Sequence, residues 1–259
     1  MKLVILAGGF GTRIAEETTL KPKPLIEIGN MPIIWHVMKI YSFFGVKEFI
    51  ICCGYKGYLI KEYFANYSLH LSDVTIDIDK NSIDVHKKSA ENWRITLVDT
   101  GENTLTGGRI LRIKNYINDD FLLTYGDGLS NVNIKKLIKH HKLNKKSATM
   151  TVVQPQGRFG VVDFDKKSCL VKNFSEKPKG DGSWVNGGFF VLKHDIFKYL
   201  KDDSTIWEKE PLEKLSNNSQ LSAYRHDGFW YAMDTIRDKN YLDNLWFSKN
   251  APWKLWNDK

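Results

Sequence analysis

Long apolar runs are missing from this chain of 259 residues. None approaches the roughly 18 residues needed to span a bilayer, which excludes a transmembrane helix. The opening Met1-Lys2-Leu3-Val4-Ile5-Leu6-Ala7 is too short an apolar stretch for a secretory signal, and glycines follow it at once. Cysteine is scarce. Cys52, Cys53 and Cys169 cannot build a disulfide framework, and no Cys/His spacing suits zinc. They read as reduced residues of a cytoplasmic protein, Cys52 and Cys53 within a strand. Linkers rich in Gly, Pro or Ser, internal repeats and low-complexity tracts are also absent, so a disordered or fibrous chain is excluded.

What is present is ordinary globular composition with a basic excess. Hydrophobic residues make up 42% and charged residues 26%, enough to bury a core. Thirty-eight Lys and Arg against thirty Asp and Glu leave a net charge of +8, which suits an anionic ligand without choosing among nucleic acid, nucleotide, sugar phosphate or lipid. No nucleic-acid-binding motif accompanies the charge, and no membrane partner is expected. Lys135, Lys136, Lys139 and Lys142 fall on the outer face of a helical pattern whose inner positions are Ile134, Leu137, Ile138 and His141, a solvated face.

Short apolar runs alternate with helical patterns. Strands are expected at 2–7, 48–53, 95–99, 121–125 and 148–153, and helices at 32–44, 57–67, 108–117 and 133–143. Residues 68–92 read as an excursion of two short strands. Beyond about residue 155 the pattern changes: a hairpin around Asp165-Lys166-Lys167-Ser168, a strand at 187–192, and helices at 207–215 and 235–246. The fold class expected is α/β, a Rossmann-like mixed but mostly parallel sheet flanked by helices with small β additions, in a single domain 1–259.

The most informative stretch is a strand followed by Gly8-Gly9-Phe10-Gly11-Thr12-Arg13. Glycines after a parallel strand let backbone N–H groups approach an anion. The dinucleotide fingerprint fails because Ile14 stands where its third glycine is needed, and Walker A spacing is absent. Arg13 offers a fork for phosphate oxygens. Lys23, stiffened by Pro22 and Pro24, offers a point charge. Asp127 in Gly126-Asp127-Gly128 lies just past an apolar strand, where ligands of open α/β sheets collect. Asp234 is a second carboxylate, which by pattern alone could equally cap the helix that follows. In Phe174-Ser175-Glu176-Lys177-Pro178 a carboxylate beside an ammonium could read a polyol and its anionic tail, or form a surface ion pair.

Leu6-Ala7-Gly8-Gly9-x-Gly11-Thr12-Arg13, then Lys23-Pro24-Leu25-Ile26-Glu27-Ile28-Gly29, resembles the signature of the sugar-phosphate nucleotidyltransferases, and the resemblance runs over nearly the whole chain. It implies the fold of nucleotide-diphospho-sugar transferases, with a nucleotide-binding half at 1–155 and a sugar-binding half plus C-terminal helices at 156–259. It implies nucleotide contacts from Leu6, Ala7, Gly8, Gly9, Gly11, Thr12, Arg13, Lys23, Thr104, Arg109 and Gly126, with Arg13 and Lys23 catalytic. Asp127 and Asp234 become the ligands of Mg2+, a hard cation satisfied by two carboxylates plus phosphates and waters. Glu176, Lys177, Asn186 and Gly187 become the sugar-phosphate contacts. Ala15-Glu16-Glu17 departs from the family, where a proline is commoner.

The implied reaction is attack by a sugar 1-phosphate on the α-phosphorus of a nucleoside triphosphate. It needs no general base, since the nucleophile is largely ionised at neutral pH, with a second pKa of about 6. Base choice should lie in residues 99–109, which lack the Gln-Pro-x-Gly-Leu-Ala element of thymidylyl and uridylyl relatives. Cys52 to Tyr58, Gly126-Asp127-Gly128, Arg158-Phe159-Gly160 and Gly228-Phe229-Trp230 resemble the branch that takes CTP and glucose 1-phosphate, the alternative being UTP or dTTP in the same family. The resemblance also implies a homo-oligomer, a hexamer, and a role in supplying surface glycan. The Trp-rich end, Trp246 to Trp256, fits either an intersubunit contact or folding back on its own chain.

Overall fold

Strands form at the apolar runs. In the computed structural model, which describes residues 1–87, 90–155, 157, 161–175 and 183–257, seven of them share one sheet. They are β1 (Leu3–Leu6), β2 (Glu48–Cys53), β3 (Arg94–Asp99), β4 (Phe121–Tyr125), β5 (Ala148–Val153), β6 (Val185–Leu192) and β7 (Leu221–His226). Their order across the sheet is β7-β5-β6-β4-β1-β2-β3. β4, β1, β2 and β3 are mutually parallel, β7 is parallel to β5, and β6 runs antiparallel to both of its neighbours. The sheet is therefore mixed and mostly parallel, as expected.

Period-two alternation feeds two cores, one on each face. Leu3, Ile5, Phe49 and Ile51 face one side, beneath α1 (Ile33–Phe43). Val4, Leu6, Ile50 and Cys52 face the other, with Ile110, Phe197 and Trp207. α2 (Gly57–His70), α3 (Thr106–Arg112), α4 (Ile134–Asn144), α5 (Glu210–Asn217) and α6 (Ile236–Phe247) complete the flanking layers. On α4 the lysines point outward while Ile134, Leu137 and His141 are buried. The excursion is a hairpin of Asp73–Asp77 with Ser82–Lys87, and a second hairpin pairs Val161–Phe164 with Val171–Ser175.

Three segments differ from the sequence reading. The helix expected over 108–117 starts earlier and stops at Arg112. A 3-10 turn, Lys114–Tyr116, keeps Ile113 and Ile117 buried with a tighter repeat. The helix expected from Trp207 begins at Glu210, because Pro211 suits a first turn, while the buried Trp207 donates its backbone N–H to Thr106 Oγ1 at 2.9 Å. β7 and the short strand Trp230–Ala232 had no clear period in the sequence.

The C-terminal tryptophans fold back on their own chain. Trp253 is fully buried against Phe229, Trp246 and His36, and Trp256 meets Trp35 edge-on. His36 Nε2–H donates to Ile28 O at 2.7 Å and Nδ1 accepts from Trp253 Nε1, which fixes a neutral ring. Burial pushes its pKa down to about 4, against the hydrogen bond to Ile28. The unfolded chain then takes up the proton first, so this contribution is whole above pH 6.5 and drains as pH falls from there toward about 4. The loss is on the order of 3 kcal/mol. Urea midpoints at pH 7 and pH 5 should fall steeply for the native protein and less for His36→Gln; equal slopes would refute it.

Candidate active site

β1 is flanked by β4 on one side and β2 on the other, all three parallel, so the order in which the chain adds strands turns back at β1. The crevice past the carboxyl ends of β1 and β4 is where such sheets bind ligands. A cavity of about 660 Å3 opens there. Leu6, Ala7, Gly8, Gly9, Gly11, Thr12, Arg13, Lys23, Thr104, Arg109, Gly126, Asp127, Asn186 and Asp234 all line it.

The glycine loop lies open. Among the described residues no hydrogen bond uses the backbone N–H of Gly9, Phe10, Gly11 or Thr12, which leaves them for an anion. Gly11 has φ +65, and a side chain there would also strike Thr18. Lys23 opens a 3-10 turn, Lys23–Leu25, fixed by Leu25 N–H donating to Pro22 O at 2.8 Å. Lys21 instead turns to the surface and pairs with Glu27 at 2.6 Å, so Lys23 is the lysine of this segment that reaches the crevice.

Distant carboxylates converge on it. Trp230–Ala232 pairs with Gly128–Ser130, Ala232 opposite Gly128, and Met233 N–H donates to Asp127 O at 2.9 Å. That ladder sets Asp127 and Asp234 side by side. Lys23 Nζ lies 2.6 Å from Asp127 Oδ2 and 2.8 Å from Asp234 Oδ1, and Arg13 Nη1 lies 2.6 Å from Asp234 Oδ2. Burial works against the Lys23 ammonium, but the two carboxylates outweigh it and raise its pKa above the usual lysine value. Asp234 does not cap α6. Thr235 does, in a capping box with Asp238, and this leaves the Asp234 carboxylate facing the cavity.

The family resemblance expects Arg109 at the nucleotide; it lines the cavity, with its guanidinium held by the protein itself. It is 4% exposed, and its terminal N–H groups donate to Gly8 O at 2.9 Å, Cys53 O at 3.3 Å, Gly101 O at 2.6 Å, Glu102 O at 3.0 Å and Thr100 Oγ1 at 2.8 Å. It ties the glycine loop to the 100–102 segment, so it positions the wall it belongs to. Gly8 permits this: a Cβ there would lie 2.2 Å from Arg109 Nη1.

On the other wall, Asn186 Nδ2–H donates to Tyr125 Oη at 3.2 Å, and Tyr125 O–H donates to Glu208 Oε1 at 2.5 Å. Thr106 O–H donates to Glu208 Oε2 at 2.6 Å. Burial, then the Glu208 charge, keeps the Tyr125 phenol protonated. Gly187 is not in the lining; its carbonyl accepts from Trp230 Nε1–H at 2.7 Å, and the positive φ of +78 belongs to Gly188. Glu176, Lys177 and Arg158-Phe159-Gly160 lie outside the described residues. Glu102 and Asn103, within the 99–109 stretch expected to choose the base, also line the cavity; Tyr125 and Glu208 line it but were not singled out by sequence. Tyr125, next to Gly126-Asp127, could have been; Glu208 carries no local signal.

Residues 2–258 match the family model described as Nucleotidyl transferase. The chain belongs to that family. It is 55% identical over 258 residues to the glucose-1-phosphate cytidylyltransferase of Salmonella typhimurium, covering 99% of this chain and 100% of that one. The same identity and coverage hold for the glucose-1-phosphate cytidylyltransferase of Salmonella typhi. Among solved structures, HddC from Yersinia pseudotuberculosis superposes with a TM-score of 0.69 at 22% identity, over 95% of this chain and 99% of that one, which shows the fold.

For a nucleotidyl transferase the cluster has a plain reading: two phosphate-bearing anions must be brought together, and the cavity supplies cations and N–H groups to hold them. The two aspartates also suit a divalent cation. They are hard oxygen donors already gathered around one positive charge, with Lys23 Nζ standing between them.

Proposed function

We propose that the protein transfers the cytidylyl group of CTP to glucose 1-phosphate, forming CDP-glucose and releasing pyrophosphate. The observation that carries this reading is the meeting of Lys23, Arg13, Asp127 and Asp234 beside an unfilled backbone cradle at the ends of β1 and β4. The choice of CTP and glucose is supported by the full-length relatives that carry that activity in their names. Among the described residues no helix is long and apolar enough to cross a membrane, in keeping with a cytoplasmic enzyme.

The N–H groups of Gly9 to Thr12 cradle the triphosphate, and Arg13 turns to the departing phosphates. Lys23 holds the α-phosphate as negative charge builds on it, and alignment of the two anions does most of the rest. Asp127 and Asp234 would hold Mg2+, which supplies further neutralisation of phosphate charge. Thr104, on the segment tied down by Arg109, borders the base. Glu176, Lys177 and Asn186 are our assignment for the sugar phosphate, and Glu208 joins them as an acceptor of sugar hydroxyls.

Product analysis with CTP, UTP, dTTP, GTP and ATP, each with glucose 1-phosphate and Mg2+, should yield CDP-glucose far above the rest. Predominant UDP- or dTDP-glucose would establish the alternative within the family. Glu208→Gln should raise the KM for glucose 1-phosphate about tenfold, the worth of one hydrogen bond to a charged group. A rise confined to the KM for CTP would place Glu208 on the nucleotide instead. We expect a homo-oligomer, a hexamer, whose contacts cover the exposed Ile76, Ile78 and Ile83 of the 73–87 hairpin. Light scattering reads the copy number directly.

A further inference from the structure

We propose that Lys23 is the resting counter-ion of Asp127 and Asp234 and must leave them before a divalent cation can bind. The side chain needed for turnover therefore weakens metal binding in the nucleotide-free protein. The proposal rests on the reading of these aspartates as metal ligands and adds the order in which the site fills.

The competition is for particular atoms. The ammonium sits 2.6 Å from Asp127 Oδ2 and 2.8 Å from Asp234 Oδ1. Mg2+ held by these two carboxylates would need the same oxygens. An ammonium and a divalent ion sharing those oxygens would be close-packed like charges in a site where Lys23 is only 12% exposed and screening by water is poor. Two cations, Lys23 and Arg13, already neutralise the two carboxylates, so the resting cluster carries no net charge to attract a third.

Geometry also says what moves. The Lys23 backbone is pinned by prolines on both sides and by its 3-10 turn, so the side chain alone must swing. The aspartates cannot easily part, because the Gly128–Ser130 and Trp230–Ala232 ladder and the Met233 to Asp127 hydrogen bond hold their backbones together. The cavity into which Lys23 can swing is where the phosphates would lie. A triphosphate offers the ammonium and Arg13 new partners, and by linkage each ligand then favours the other. Lys23 is the coupling element.

The test uses Mn2+ as a paramagnetic probe, with free Mn2+ read by electron paramagnetic resonance and no nucleotide present. Lys23→Met keeps the length of the side chain and removes its charge. It should bind Mn2+ at least tenfold more tightly than the native protein, with an unchanged circular dichroism spectrum. Lys23→Arg keeps the charge and should show no such gain. Lys23→Met combined with Asp127→Asn should lose it. Binding by Lys23→Met that is equal to or weaker than native, including none by either protein, overturns the proposal; so does an equal gain in Lys23→Arg. If only this fails, Asp127→Asn and Asp234→Asn will still abolish Mg2+-dependent product formation. If instead those variants retain full turnover, the ligand reading itself has failed.

Discussion

Lys23→Ala should lower kcat by about a thousandfold, the usual worth of a charge aimed at a transition state in a partly dry site. The melting temperature should fall modestly, by the lost pairing with Asp127 and Asp234, while the fold stays intact because the turn that carries Lys23 is held by Pro22, Pro24 and backbone hydrogen bonds. Pyrophosphate release under saturating CTP and glucose 1-phosphate measures the loss, and near-native turnover would remove Lys23 from the chemistry. The pH dependence has a definite sign. In the resting protein Asp127 and Asp234 raise the Lys23 pKa above 10.5 despite burial, so the ammonium is charged throughout the neutral range; in turnover the phosphates replace them as anionic partners, and no Lys23 titration is expected there either. The stability that this pairing contributes is complete below 10.5 and is lost only as pH climbs through the higher folded value.

Arg109→Leu should destabilise the fold by about 3–5 kcal/mol. The guanidinium is the partner of four backbone carbonyls and of Thr100 Oγ1, and an apolar replacement strands these acceptors at a cost of roughly 1–3 kcal/mol for each that water does not reach. For a chain of this size the melting temperature should fall by about 10 °C. Turnover should fall as well, because Gly8 and the segment bearing Glu102 and Thr104 lose their common tie. Arg109→Lys should recover only part of the stability, since one ammonium cannot reach acceptors spread around a planar fork. A variant with native stability and a raised KM for CTP alone would show that Arg109 serves the nucleotide and not the wall.

Where a residue's role depended on neighbours in sequence, it was legible. The glycines after β1 follow from their position past a buried strand, and Lys23 is the lysine that the family signature picks out. Where the role depended on which partner occupied an atom, it was not. Arg109 was expected at the nucleotide, and nothing in the sequence showed that backbone carbonyls take its donors. By pattern alone Asp234 could have been a helix cap, and only the structure shows that Thr235 one residue on does that work because Asp238 completes the box. Glu208 gave no signal, because its partners Tyr125 and Thr106 are far away in the chain.

Sequence by itself determined the class of the sheet, the anion cradle and the kind of chemistry, since alternation, glycine spacing and the family signature are local properties of the chain. Only the tertiary structure decided that Trp230–Ala232, too short to announce itself, would zip against Gly128–Ser130 and deliver Asp234 to Asp127 and Lys23. Three residues of strand carry almost no periodic signal, whereas a half-buried ladder satisfies its backbone groups only in one register, and that register places the charges.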